Sequence, residues 1–141
     1  MALSQYIMLK YPDVIFTAEA TGIKTSKVQA GKMKLMRSRG AHADMIILEP
    51  RGLYAGCILE LKVKEKTPFL LDGSLSYNSH VRDQAKMLDR LKHKGYFSAF
   101  AICLDHGIQL INLYMDQPTF YGLTEQRQRD PEKVPENGRQ E

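Results

Sequence analysis

The sequence predicts an α/β domain, a central mixed β-sheet flanked by helices, and three observations predict it. Apolar runs rich in β-branched and aromatic residues at 13–18, 43–49, 54–63 and 96–104 interleave with stretches of helical period at 2–10, 26–37, 81–94 and 105–117. Two of those runs are separated by the turn signal Pro50-Arg51-Gly52, which makes them an antiparallel hairpin; the others are joined through helices. The chain has 141 residues, 43% of them hydrophobic, the size of one domain able to bury a core without disulfide or metal support.

In chain order the elements read α-β-α-β-β-α-β-α. Residues 2–10 form a short helix that stops at Tyr11-Pro12, because a residue before proline avoids the helical region. Asp13 to Ala18 is a strand and Thr21-Gly22 a turn. Ser26 and Gln29 have capping-box spacing and open a helix through Arg37 with Val28, Gly31 and Leu35 on one side, ended by Gly40. Ala43 to Glu49 and Tyr54 to Val63 are the two arms of the hairpin. The segment 66–80, with Asp72-Gly73 and Asn78-Ser79 as turn formers, is long enough for a functional loop. Val81 to Lys94 is a helix with Val81, Ala85, Leu88 and Leu91 at helical spacing, closed by Gly95. Tyr96 to Leu104 reads as a strand from inside a sheet. Asp105 caps a last helix that turns Ile108, Ile111 and Tyr114 inward and ends before Pro118. The folded domain is expected over 1–121, with 122–141 a polar, mobile tail.

Composition removes several classes. No apolar stretch approaches the ~18 residues of a membrane span, and the first fifteen residues lack a signal-peptide pattern. Cys57 and Cys103 lie in apolar runs without C-x-x-C spacing and read as small core residues of a reducing compartment, so a cytoplasmic location is expected. No GxSxG, Walker or GxGxxG motif is present, and the four histidines do not cluster. The net charge of +4 is unevenly spread: residues 1–51 carry 8 basic and 4 acidic side chains, 52–96 carry 8 and 5, and 97–141 carry 4 and 7. Lys24, Lys27, Lys32, Lys34, Arg37 and Arg39 fall within sixteen residues that hold no acid, a density suited to phosphates, although a solvated helix face has the same look.

Alternation along the second hairpin arm puts Glu60 and Lys62 on one face and Leu59, Leu61 and Val63 on the other. Charged groups inside a run of Cys, Ile, Leu and Val are costly unless paired or metal-bound. Asp44 opens the other arm and falls opposite the 60–62 stretch when the hairpin closes at Pro50-Arg51-Gly52. Two hard carboxylates, Asp44 and Glu60, with a nearby backbone carbonyl at Leu61, make a site for Mg²⁺ or Mn²⁺. Such a metal polarises a phosphodiester oxygen and activates water, and Lys62 would orient that water or stabilise transition-state charge. Gln84 lies at the centre of the stripe formed by Val81, Leu88 and Leu91, and an amide aimed at the sheet needs a polar partner there, in the site or at a strand end. A structural ion pair joining Glu60 to Lys62 or Asp44 explains the acids without chemistry. Glu-x-Lys alone is uninformative; the weight comes from its place on a buried strand opposite an Asp.

Gly40-Ala-His-Ala-Asp44, then Glu60-Leu-Lys62, then Gln84, resembles the VRR-NUC family of the PD-(D/E)xK nuclease superfamily, in its small stand-alone phage and prophage form. The likeness extends through KYPDVIFTAEATG, GLYAGCILELK, DGSLSYNSHVRDQAKMLDRLKHKGYFSAF and LDHGIQLINLYM, about residues 6–115. It implies a PD-(D/E)xK restriction-endonuclease-like fold and a Mg²⁺- or Mn²⁺-dependent endonuclease, a homodimer acting on branched DNA such as Holliday junctions in the cytoplasm of a bacterium or phage-infected cell. By position, Asp44 and Glu60 would bind metal, Lys62 would assist the nucleophilic water and Gln84 would orient substrate or water. Two positions depart from the family pattern. Ala43 stands where Pro usually precedes the metal-binding Asp, and the family's Glu upstream of Tyr6 has no counterpart: either the start is truncated, or a water or another acid such as Glu19 fills its place. The alternative reading is a DNA-binding module of the same fold with impaired catalysis.

Overall fold

The computed structural model describes residues 2–19 and 43–119. The expected helix at 26–37, the six cations between Lys24 and Arg39, and the tail 122–141 lie outside the described residues. Within them the elements are α1 (Ala2–Lys10), β1 (Phe16–Ala18), β2 (Met45–Ile47), β3 (Cys57–Leu61), a 3₁₀ turn (Lys64–Lys66), α2 (Ser79–His93), β4 (Phe97–Ala101) and α3 (Leu104–Met115). None of the described helices is long and apolar enough to cross a membrane.

The sheet order is β1-β2-β3-β4. β1 and β3 pair antiparallel with β2, and β3 pairs parallel with β4 through the crossover made by α2. This is the mixed sheet expected, with shorter strands. Its hairpin turns at Arg51–Tyr54, where each backbone amide bonds the other's carbonyl, one residue beyond the expected Pro50-Arg51-Gly52 centre. Gly52 sits there at φ 56°, a conformation that costs glycine nothing.

Strand alternation assigns the two faces. Met45, Ile47, Cys57 and Leu59 point toward α1 and α3, where they are buried with Leu3, Ile7, Ile111, Tyr114 and Met115. α1 lies close on α3 because residue 107 is glycine: a Cβ there would meet Leu3 Cδ2 at 3.0 Å. Tyr6 and Tyr11 hydroxyls and the Lys10 ammonium all donate to Asn112 Oδ1, at 2.7, 3.0 and 2.9 Å, tying the end of α1 to α3. The opposite face presents Ile58, Glu60 and Ser98, covered by α2 through Gln84, Met87 and Leu88, and Ser98 Oγ donates to Leu88 O at 2.7 Å.

Several expectations need correction. α2 starts at Ser79, not Val81, because the Asn78 side chain accepts from the His80 and Val81 amides and caps it. Its buried stripe runs through Gln84, Met87 and Leu88, while Val81, Ala85 and Leu91 are half-buried. β4 is the end strand among those described, not an interior one; helices on both faces, rather than strand neighbours on both edges, account for its apolar sequence. α3 is capped by Cys103, whose Sγ accepts from the His106 amide, and Asp105 falls in its first turn. Cys103 is therefore exposed instead of packed in the core, whereas Cys57 is fully buried and its thiol is pushed up to about 12 by burial, which leaves it an inert packing group.

Candidate active site

Asp44 lies one residue before β2, and the Met45↔Leu59 register carries it to the level of Glu60. Its Oδ2 accepts the Leu61 amide at 2.8 Å, and its backbone carbonyl accepts the Glu19 amide at 2.8 Å, so β1, β2 and β3 all hold it. Phe97 N–H donates to Gly56 O and Lys62 N–H to Ala101 O, so the even-numbered residues of β3 bond to β4. Leu61 consequently turns both its amide and its carbonyl toward the Asp44 side, where β2 has ended.

Glu60 is 3% exposed, next to the last residue of the interior strand β3. Its Oε1 accepts from Lys62 Nζ at 3.1 Å and from Gln84 Nε2 in a very short bond. Among the described residues its Oε2 has no hydrogen-bond partner, nor has Oε1 of Gln84, itself 8% exposed. Burial, and next the neighbouring Asp44 carboxylate, push the Glu60 carboxyl up to about 7, against the opposing pull of Lys62. Lys62 Nζ also rests 5.9 Å from the centre of the Phe100 ring, and Phe69 packs edge-on against that ring at 6.2 Å between centroids.

Asp44, Glu60, Lys62 and Gln84 therefore converge at one rim of the sheet, with the Leu61 backbone beside them. The six cations from Lys24 to Arg39 cannot be placed against them, since they fall outside the described residues. Sequence reasoning missed Phe100 and Phe69. Phe100 stands beside Glu60 through the parallel β3–β4 register, and nothing in the local sequence announces which residue of a distant parallel strand will neighbour a given one.

A buried carboxylate oxygen without a partner is costly, and a cation beside it offsets both that cost and the repulsion between Glu60 and Asp44. The donor set is made of hard oxygens, those of Asp44, Glu60 and the Leu61 carbonyl, and it fits Mg²⁺ or Mn²⁺. Only two carboxylates meet there: no group of three or more His, Cys, Asp or Glu suited to a metal occurs among the described residues. Glu19, hydrogen-bonded through its amide to Asp44, is the next acid along the rim.

The sequence matches no protein-family model, and no curated protein matches it. Among solved structures the fold is similar to that of a "VRR_NUC domain protein", with a TM-score of 0.56 and 18% identity over 83% of this chain and 88% of that one. The protein thus shares its fold with that VRR_NUC domain, here a four-stranded mixed sheet flanked by helices.

Proposed function

We propose that the protein is a Mg²⁺- or Mn²⁺-dependent DNA endonuclease that hydrolyses phosphodiester bonds, selective for branched DNA such as four-way junctions and acting as a homodimer. The observation that carries this reading is the convergence of Asp44, Glu60, Lys62 and Gln84 around a buried Glu60 oxygen that has no partner among the described residues.

Asp44, Glu60 and the Leu61 carbonyl would hold the divalent cation, which supplies Lewis-acid polarisation of a phosphodiester oxygen and activation of a water. Gln84 holds the Glu60 carboxylate in one orientation through Oε1, which leaves Oε2 free for a ligand. Lys62, steadied between Glu60 and the Phe100 ring, keeps an ammonium at the rim to donate to the attacking water or to the oxygens of a phosphorane-like transition state. Lys24, Lys27, Lys32, Lys34, Arg37 and Arg39 are the proposed phosphate contacts by their density in the sequence, and a two-fold dimer would present two such surfaces to a junction.

The test is cleavage of a labelled four-way junction in Mn²⁺ by wild type and by Lys62→Ala. We expect wild-type cleavage to fall about a hundredfold or more in the variant, as for loss of one transition-state donor. No cleavage by wild type above the Lys62→Ala level overturns the nuclease reading. That just two carboxylates converge among the described residues favours a second reading, a DNA-binding module impaired in catalysis. That reading predicts salt-sensitive DNA binding that survives Asp44→Ala, without cleavage.

A further inference from the structure

Between Lys62 and α2 the chain takes a detour that the cleavage chemistry does not use. After the 3₁₀ turn, Pro68 is buried and a small hairpin follows, closed by the Phe69–Leu75 bridge. Its tip is held by its own bonds: Leu70 N–H donates to Ser74 O at 2.8 Å, and Asp72 Oδ1 accepts from the amide and hydroxyl of Ser74 at 2.9 and 2.6 Å. Leu71 at this ordered tip is fully exposed, and Tyr77 just beyond is largely so. Phe69, at the base, packs on the Phe100 ring that also carries Lys62, which sets the hairpin's place relative to the candidate active site.

An open cleft of about 430 Å³ separates the hairpin from α2, lined by Leu75, Arg82, Ala85, Lys86 and Asp89. That volume falls within the ~300–1,000 Å³ of small-ligand sites. Leu75 and Ala85 supply apolar surface, Arg82 and Lys86 two cations one helical turn apart, and Asp89 an acceptor nearer the far end of the helix. The Arg82 guanidinium is fixed over the Tyr77 ring at 5.3 Å, and its Nε donates to Ser76 O at 3.4 Å. Ala85 directly follows Gln84 on α2, so the cleft begins beside the residue that bonds Glu60.

We propose that this cleft is a subsite for one unpaired nucleotide of a DNA substrate, an inference that rests on reading the neighbouring site as a nuclease centre. The base lies against Leu75 and Ala85, a ring N–H or amino group of its pairing edge donates to Asp89, and the flanking phosphate is held by Arg82 and Lys86. A free anion has no use for the apolar wall, and an apolar peptide none for the paired cations. A nucleotide uses both.

The test is binding of the full chain in EDTA, by fluorescence anisotropy, to three labelled duplexes: fully paired, with a single-thymine bulge, and with an abasic bulge. The bulged thymine should bind about tenfold tighter than either of the others, the gain expected for burying one base against an apolar wall. Ala85→Trp, which fills the cleft, should erase that preference while leaving affinity for the paired duplex unchanged; if it does not fold, Leu75→Ala, which removes the apolar wall without adding charge, takes its place with the same expectation. Equal wild-type binding of all three duplexes overturns the proposal. So does a preference that persists in the folded variant, or a variant that only changes self-association. Bulge preference without any Lys62-dependent cleavage sinks the nuclease reading alone, and cleavage without bulge preference sinks the subsite alone.

Discussion

On the face of the sheet covered by α1 and α3, the inward side chains of β2 and β3 are Met45, Ile47, Cys57 and Leu59, meeting Ile7, Ile111 and Tyr114. On the face covered by α2, the same strand β3 presents Ile58 and then Glu60, met by the amide of Gln84, with Ser98 alongside. Both faces are shielded from water by a helix, yet one is apolar throughout and the other buries a carboxylate beside a second carboxylate and an ammonium. Burying apolar surface stabilises the fold, whereas burying a like-charged pair destabilises it. The difference teaches that the first face carries the stability of the domain and the second is free to carry strain, of the kind that the proposed cation would relieve.

The comparison breaks most visibly at Ile111, which is fully buried on the first face. Ile111→Ala should cost about 2–5 kcal/mol in urea unfolding, with metal affinity of the folded fraction unchanged.

Substitution on the second face should do the reverse. Glu60 is pushed up to about 7 from an ordinary 4.5, so the native state holds more protons than the unfolded state between those values. Stability of the metal-free protein should therefore be greatest below about pH 4.5 as far as this group is concerned, and fall as pH rises through about 7. The total is about 3 kcal/mol at 1.36 kcal/mol per pH unit. Unfolding midpoints against pH in EDTA would show it, and Glu60→Gln should remove this part of the slope while leaving the protein no less stable at pH 8. A Glu60→Gln protein as pH-sensitive as wild type would mean that Glu60 is not the strained group.

A cation should reverse the same strain. At a concentration a hundred times its dissociation constant, Mn²⁺ should stabilise wild type by about 2.7 kcal/mol and Asp44→Ala hardly at all, read from thermal midpoints. The smallest effect is at the start of α2. Asn78→Ala removes the cap and should cost about 1 kcal/mol, with amide exchange rising first at His80 and Val81.

Much of this contrast was already legible in residue order. Two-residue alternation put Glu60 and Lys62 on one side and Leu59 and Leu61 on the other, and the hairpin turn brought Asp44 opposite them. Gln84 stood out because an amide at the centre of an apolar helical stripe demands a partner, although its partner was not evident. Phe100 beneath Lys62 was invisible, since a parallel neighbour arrives through a crossover whose register depends on how α2 packs. The cap of α3 was misassigned for a local reason. Asp105 is the better capping residue by type, but the chain turns helical two residues earlier than that cap requires, and Cys103 occupies the capping position.

The sequence by itself determined the class of fold, the hairpin and the alternation that segregates charge from apolar side chains, because periodicity and turn chemistry act over a few residues. Only the tertiary structure decided that β4 ends the described sheet, that Gln84 grips Glu60, and that one oxygen of Glu60 is left buried and unbonded among the described residues. Those outcomes depend on where distant segments come to rest, and close packing selects among placements that local sequence leaves equivalent.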